Sequence, residues 1–274
     1  MHPNDAQREK QDIAISESLK RIKNKILVMS GKGGVGKSSI AVNLAMGLAN
    51  KGFQVGLMDV DLHGPSIPQM LGIRRGAMSF SDNKMIPALH SKNLRMASIE
   101  CMLENDDSPV IWRGPMKIGV IRQFISDVQW GDLDFLIIDS PPGTGDEPLT
   151  VAQTIPDAMA LIVTTPQIVS LRDVRKSINF CKQMRMGILG LIENMSGLVC
   201  PGCGLKIPLF KTGGGESMAQ QMEIAFLGGI PIIPDIVHCC DNGIPAVNAC
   251  SALRDAFEPI LNTIMDKVNT VTQS

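Results

Sequence analysis

The sequence predicts an α/β protein: a mainly parallel sheet flanked by helices on both faces. Three observations predict it. Apolar runs without polar alternation recur at 26–30, 54–60, 134–139, 158–164, 187–193 and near 224–230. Helix-period segments separate most of them, as at 38–50 and 168–184. The first run passes into a glycine-rich turn and then into a helical pattern. Strands buried on both faces read as continuous apolar runs, and helices between them supply the crossovers a parallel sheet needs.

The elements follow in chain order. Residues 1–24 are polar and charged, with a weak stripe at Ile15, Leu19 and Ile22, and read as a loosely attached lead-in helix or tail. A single domain is expected over 25–274. Segment 74–115 breaks the rhythm; its short possible strands at 84–89 and 94–102 read as an antiparallel insertion at a sheet edge. Segment 196–217, rich in Gly, Pro and Cys, reads as an irregular loop or small knuckle. The last stripe, Leu253, Phe257, Ile260, Leu261, Ile264, Met265 and Val268, predicts a core-packing helix.

Composition excludes several function classes. Of 274 residues, 44% are apolar and 19% charged, a globular balance. Twenty-six basic residues against 27 acidic ones give a net charge of −1, which argues against a nucleic-acid partner. No run of about 18 apolar residues offers a membrane span. The first residues lack the apolar core of a secretory signal, so a cytoplasmic protein without a membrane partner is expected. Seven cysteines, an odd number, cannot all pair internally and read as buried thiols, metal ligands or redox groups.

Residues 31–38 read Gly-Lys-Gly-Gly-Val-Gly-Lys-Ser and sit between a strand and a helix. This is the phosphate-cradling pattern in the context it requires. Gly31, Gly33, Gly34 and Gly36 let the backbone, Val35 included, wrap around phosphate oxygens, and the helix start through Ser39 adds its partial positive charge. Lys37 would neutralise the β- and γ-phosphates of ATP, and Ser38 would ligate Mg²⁺. Asp59 and Asp61 point the same way at the carboxyl end of the second strand, and Asp139 closes the third. These suit a Mg²⁺-nucleotide centre, with the Gly143 N–H available to the γ-phosphate. His63 reads as a loop residue, since phosphoryl transfer needs positioning and charge above all. Cys200 and Cys203, spaced C-x-x-C, supply half of the four ligands that Zn²⁺ or a [4Fe–4S] cluster takes. A two-fold axis would supply the other half; a Zn²⁺ knuckle or a thiol–disulfide pair are the alternatives. The remaining thiols, Cys101, Cys181, Cys239, Cys240 and Cys250, read as small buried hydrophobes.

The form K-G-G-V-G-K-S resembles the deviant Walker A loop of the P-loop superfamily that holds nitrogenase iron protein and the Min and Par ATPases. Together with D-V-D-x-x-G-P-S, W-R-G-P-M at 112–116, D-S-P-P-G-T-G-D-E and E-N-M-S-x-x-x-C-P-x-C-G, it resembles the Mrp/ApbC-type iron–sulfur cluster carrier ATPases over about residues 20–265. The resemblance implies a homodimer that binds ATP and Mg²⁺, bridges a [4Fe–4S] cluster between two Cys200–Cys203 pairs, hydrolyses ATP and passes the cluster to apo-proteins, in company with assembly machinery. It implies that Lys32, otherwise a solvated lysine, reaches the partner's nucleotide, that Asp61 orients the attacking water and that Asp59 lies near the metal's water shell. Asn194 would contact the adenine edge, and Pro231 and Pro234 would close the nucleotide pocket. Ser140, Gly145 and Pro148 stand where Thr, Ser and His are usual. The extra N-terminal cysteine cluster of eukaryotic cytosolic relatives and the small N-terminal domain of many bacterial ones have no counterpart here. Two alternatives remain: a Min/Par-like positioning ATPase, and a Zn-bridged dimeric binding protein. The first needs a basic amphipathic tail, whereas Arg254 and Lys267 are outnumbered by Asp255, Glu258 and Asp266.

Overall fold

The computed structural model describes residues 3–62, 64, 66–82, 84–102, 114–200 and 202–272. His63, and Trp112 and Arg113 of the W-R-G-P-M motif, lie outside them. Helix α1 (Pro3–Lys20) runs into β1 (Ile22–Ser30), followed by α2 (Lys37–Asn50), β2 (Val55–Asp59) and α3 (Ile67–Met70). Four short strands come next: β3 (Ser79–Ser81), β4 (Lys84–Ile86), β5 (Ala88–Ser91) and β6 (Leu94–Ser98). A 3-10 turn at Ile99–Met102 precedes α4 (Gly114–Ser126), β7 (Leu133–Asp139), α5 (Asp146–Thr154), β8 (Met159–Thr164) and α6 (Ile168–Gln183). The chain ends with β9 (Gly187–Val199), β10 (Lys206–Ile207), α7 (Gly214–Gln221), β11 (Phe226–Ile232), α8 (Asp235–Asp241), α9 (Ala246–Ala249) and α10 (Ser251–Thr272).

The main sheet runs β10-β9-β8-β1-β7-β2-β6-β5, with β11 also paired to β9. All these pairings are parallel except those of β5 and β10. Helices α2, α9 and α10 pack together on one face. Right-handed crossovers put α4, α5, α6 and α7 on the other. The C-terminal stripe is buried, with α10 against β11 and α2.

Three elements differ from expectation. Strand β1 starts before its apolar run because its polar residues are paired: Lys23 with Asp134 at 2.8 Å and the buried Lys25 with Asp157 at 2.7 Å. Strand β6 belongs to the parallel sheet, beside β2, so within the described part of this segment β5 alone joins the main sheet as an antiparallel edge. Strand β9 continues past Glu193 to Val199, and its end forms an antiparallel pair with β10. The expected irregular knuckle is thus in part a hairpin. The lead-in helix is also anchored, burying Ile15 and joining α4 through Arg122, which bonds Asp12 and Gln11.

One close approach fixes the loop after α3. Gly72 and Gly243 both have positive φ, 64° and 68°, and a Cβ on Gly243 would lie 2.5 Å from the Gly72 Cα. Beside them the Gln69 amide donates to the Asp241 carbonyl at 2.9 Å. No helix among the described residues is long and apolar enough to cross a membrane.

Candidate functional site: a phosphate loop and a cysteine hairpin

The loop after β1 ends at Gly36, which has φ 80° and precedes α2 without any side-chain cap. The first N–H groups of α2 are therefore left for a ligand. Only glycine fits at 36: a Cβ would lie 2.2 Å from the Asn194 Nδ2. That amide donates to the Val35 carbonyl at 2.8 Å, so Asn194 holds the loop itself. Ser30 braces the loop from below, its hydroxyl donating to the Lys32 carbonyl at 3.0 Å. Ser39 lies in the first turn of α2, where its carbonyl accepts the Asn43 amide at 2.7 Å. The Lys32 ammonium is half-buried and has no ion-pair partner among the described residues.

Strand register brings the carboxylates together. Asp59 at the end of β2 is directly opposite Asp139 at the end of β7, and both are 1% exposed. Lys37 Nζ donates to Asp139 Oδ1 at 2.6 Å and Ser38 Oγ to Oδ2 at 2.6 Å. Asp59 accepts the Asp61 N–H at 3.1 Å and the Ser98 hydroxyl at 3.2 Å. Burial pushes the Asp59 carboxyl well above the usual range, and the neighbouring Asp139 pushes it further. Burial also raises Asp139, against the pull of Lys37 and Ser38. The donor set of hard oxygens fits Mg²⁺.

The raised values set a sign for stability. A carboxyl whose folded value is raised contributes stability at low pH that is lost as pH rises through that value. Asp59→Asn should therefore raise the melting temperature of the nucleotide-free protein at neutral pH by a few degrees, at about 2–4 °C per kcal/mol for domains of about 150–250 residues. The gain should shrink at acid pH; melting curves across pH that coincide with wild type would count against it.

Several other predicted residues have partners within the protein. Gly143 has φ 91°, and its N–H donates to the Ser30 carbonyl at 2.8 Å, so in this conformation it is engaged by the protein. The Ser140 hydroxyl bonds the Val28 carbonyl at 3.0 Å, a backbone role that suits the Thr-to-Ser departure. Pro234 precedes α8. Pro231 lines a cavity of about 590 Å³ with Ser196, Ile207 and Thr212, at the base of the cysteine hairpin.

Cys200 and Cys203 occupy the turn between β9 and β10, half-buried and exposed respectively. The turn is closed by the Cys200 N–H to the Leu205 carbonyl at 2.9 Å and the Gly204 N–H to the Cys200 carbonyl at 2.8 Å. The Cys203 and Gly202 backbone N–H groups, and then the Cys203 thiol, pull the Cys200 thiol below its ordinary value. That favours the thiolate, the form that binds metal. Val199, Leu205 and Leu209 around it are exposed. Among the other thiols, Cys101, Cys181, Cys239 and Cys250 are buried and Cys240 is half-buried. Burial pushes Cys101 and Cys181 up to about 12. Among the described residues no group of three His, Cys, Asp or Glu is arranged to hold a metal ion, so no third such side chain joins the pair there.

Two features had no reading in the sequence. The buried Glu193 accepts three hydrogen bonds at the base of the hairpin. Lys117 of α4 pairs with the buried Glu147 of α5 at 2.8 Å, bracing the segment after Asp139.

Comparison with known proteins agrees with this geometry. The family described as ParA, NUBPL iron-transfer P-loop NTPase, matches residues 21–269. The chain is 47% identical over 259 residues to the iron–sulfur cluster carrier protein of Methanocaldococcus jannaschii, covering 94% of this chain and 89% of that one. It is 49% identical over 232 residues to the cytosolic Fe-S cluster assembly factor NUBP2 homolog of Dictyostelium discoideum, covering 82% and 87%. Among solved structures, the Archaeoglobus fulgidus nucleotide-binding protein in complex with ADP is similar with a TM-score of 0.75, 40% identity, and coverage of 85% and 91%. The Pyrococcus furiosus cell division ATPase MinD is similar with a TM-score of 0.62, 25% identity, and coverage of 89% and 99%. A phosphate loop built on a parallel sheet, with family similarity along nearly the whole chain, leads to one assignment: this protein belongs to the NUBPL iron-transfer P-loop NTPases.

Proposed function

We propose that the protein is an ATP-dependent iron–sulfur cluster carrier. Its cargo is a [4Fe–4S] cluster bridged by Cys200 and Cys203 of two identical chains, and it delivers that cluster to apo-proteins. One observation carries the reading: strand β9 touches the phosphate loop through Asn194 and ends at the accessible Cys200–Cys203 pair, half a ligand set. The relatives named as cluster carriers and the ADP-bound neighbour support the same pairing of cargo and nucleotide. ATP lies on the N–H groups of residues 31–39, with Lys37 against its terminal phosphates. Ser38, with Asp139 and Asp59 beyond it, holds Mg²⁺, which supplies charge neutralisation at the phosphates. Asp61 orients the attacking water, and Lys32 of each chain reaches the other chain's nucleotide. Gly143 changes acceptor from the Ser30 carbonyl to the γ-phosphate when ATP is present. Asn194 supports the loop, and its side chain borders the adenine edge.

The cysteine assignment has a direct test. The double variant Cys200→Ala/Cys203→Ala, reconstituted anaerobically with iron and sulfide, should lose nearly all iron, sulfide and visible thiolate-to-iron absorbance while still binding ATP. A full complement of cluster on that variant would overturn the reading. Zinc in place of iron in anaerobically purified wild type would favour a Zn-bridged dimer.

A further inference from the structure

Glu193 precedes Asn194 on β9, is 1% exposed, and has no basic partner among the described residues. Its carboxylate is satisfied by neutral donors on both sides of the cysteine-bearing segment. Oε1 accepts the Ser196 hydroxyl at 2.5 Å and the Gly213 N–H at 3.0 Å. Oε2 accepts the Gly215 N–H at 2.5 Å, in the first turn of α7. Ser196 and Gly213 are the two ends of the stretch that contains Cys200 and Cys203, so one carboxylate closes that stretch at its base. A buried acceptor with three donors is expensive to disturb, because each freed N–H or oxygen is left without water.

The next residue faces the nucleotide side. Asn194 donates to Val35, and the Gly36 backbone lies against its amide. Met195, between the two anchors and Ser196, has φ 56°, and its Cε lies 3.9 Å from where a Gly36 Cβ would stand. The start of α7 is wedged too: a Cβ on Gly214 would meet the Pro166 carbonyl at 2.9 Å and the Leu171 side chain at 2.8 Å. Motion of the phosphate loop therefore enters β9 at Asn194. Glu193, bonded at both ends of the hairpin, is the next residue in line.

We propose that Glu193 is a positioning residue that ties the geometry of the Cys200–Cys203 pair to the state of the phosphate loop. The proposal rests on the carrier reading above and adds its coupling point. The full-length protein, without nucleotide, with MgADP, and with Mg²⁺ plus a non-hydrolysable ATP analogue, is treated with iodoacetamide. Alkylation rates of Cys200 and Cys203 are then read by peptide mass spectrometry. In wild type the rates should differ between nucleotide states by at least about fivefold, the low end of ordinary intersite coupling. Glu193→Gln, which replaces one acceptor oxygen by a donor, should erase that difference while nucleotide affinity is retained. Ser196→Ala, which removes a single hydrogen bond at a half-buried site, should shrink it, and this milder variant carries the test should Glu193→Gln not fold. A wild-type protein without the difference, or variants that keep it in full, would overturn the proposal. Iron and sulfide counts on the same preparations separate the two readings. Cluster assembly with no dependence of thiol reactivity on Glu193 defeats the coupling alone; intact coupling in a protein that assembles no cluster defeats the carrier reading.

Discussion

Lys37→Ala is expected to do two separable kinds of damage. ATP hydrolysis should fall to background, because the residue proposed to neutralise the terminal phosphates is gone. Independently, the nucleotide-free protein should lose about 3 kcal/mol, the low end for removing one partner from a buried ion pair. The Lys37–Asp139 pair is 2.6 Å long, with side chains 6% and 1% exposed, and the Ser38 hydroxyl remains on Asp139 to limit the loss. With Lys37 absent, no cation among the described residues opposes the burial that raises Asp139. A raised folded value means stability that is lost as pH rises, so the defect should deepen from acid to neutral pH. Lys37→Ala/Asp139→Asn should recover most of the stability and none of the hydrolysis. Denaturant melts at two pH values check this; a Lys37→Ala protein as stable as wild type at neutral pH would deny the pair its structural weight.

Lys32→Ala should have the second large effect and leave stability alone, since that half-buried lysine is in no ion pair among the described residues. Turnover should drop by about 10³-fold, the scale of a cation supplied in trans to a phosphoryl transfer site. Nucleotide affinity should change little, because the loop and Lys37 remain. Mixing gives the sharper result. In the proposed dimer a Lys32→Ala chain has an intact loop and needs a lysine from its partner, which a Lys37→Ala chain still carries. The two inactive proteins, combined, should recover part of the wild-type rate through mixed dimers. Persistent inactivity of a mixture in which mixed dimers are demonstrated would sink the cross-subunit role.

The parts of the molecule that the sequence discloses are those whose determinants are local. The phosphate loop is one, for its glycines, Lys37 and Ser38 act within a single turn. The central strands are another, since Leu27, Leu57, Ile137 and Ile162 are buried on a sheet covered on both faces. What stays hidden depends on distant partners. Strand β9 reads as ending at Glu193 because a carboxylate followed by Asn looks like solvated chain. The backbone N–H groups of Gly213 and Gly215, which satisfy Glu193, leave no mark in residue identity. Strand β6 is invisible as a parallel strand because alternation over 94–98 carries no direction. Helices α3, α8 and α9 are too short to show a period. Asn194 shows the same limit within the site: nothing in its motif announces that its amide holds the Val35 carbonyl.

The contact between Gly72 and Gly243 also ties the loop after α3 to the turn after α8. With the Gly72 Cα only 2.5 Å from where a side-chain carbon on Gly243 would stand, these two backbones leave no room for a side chain between them. The Gln69 amide pins α3 to the end of α8 beside them. Helix α3 and the end of α8, far apart in the sequence, are thus joined by a backbone contact and a hydrogen bond side by side.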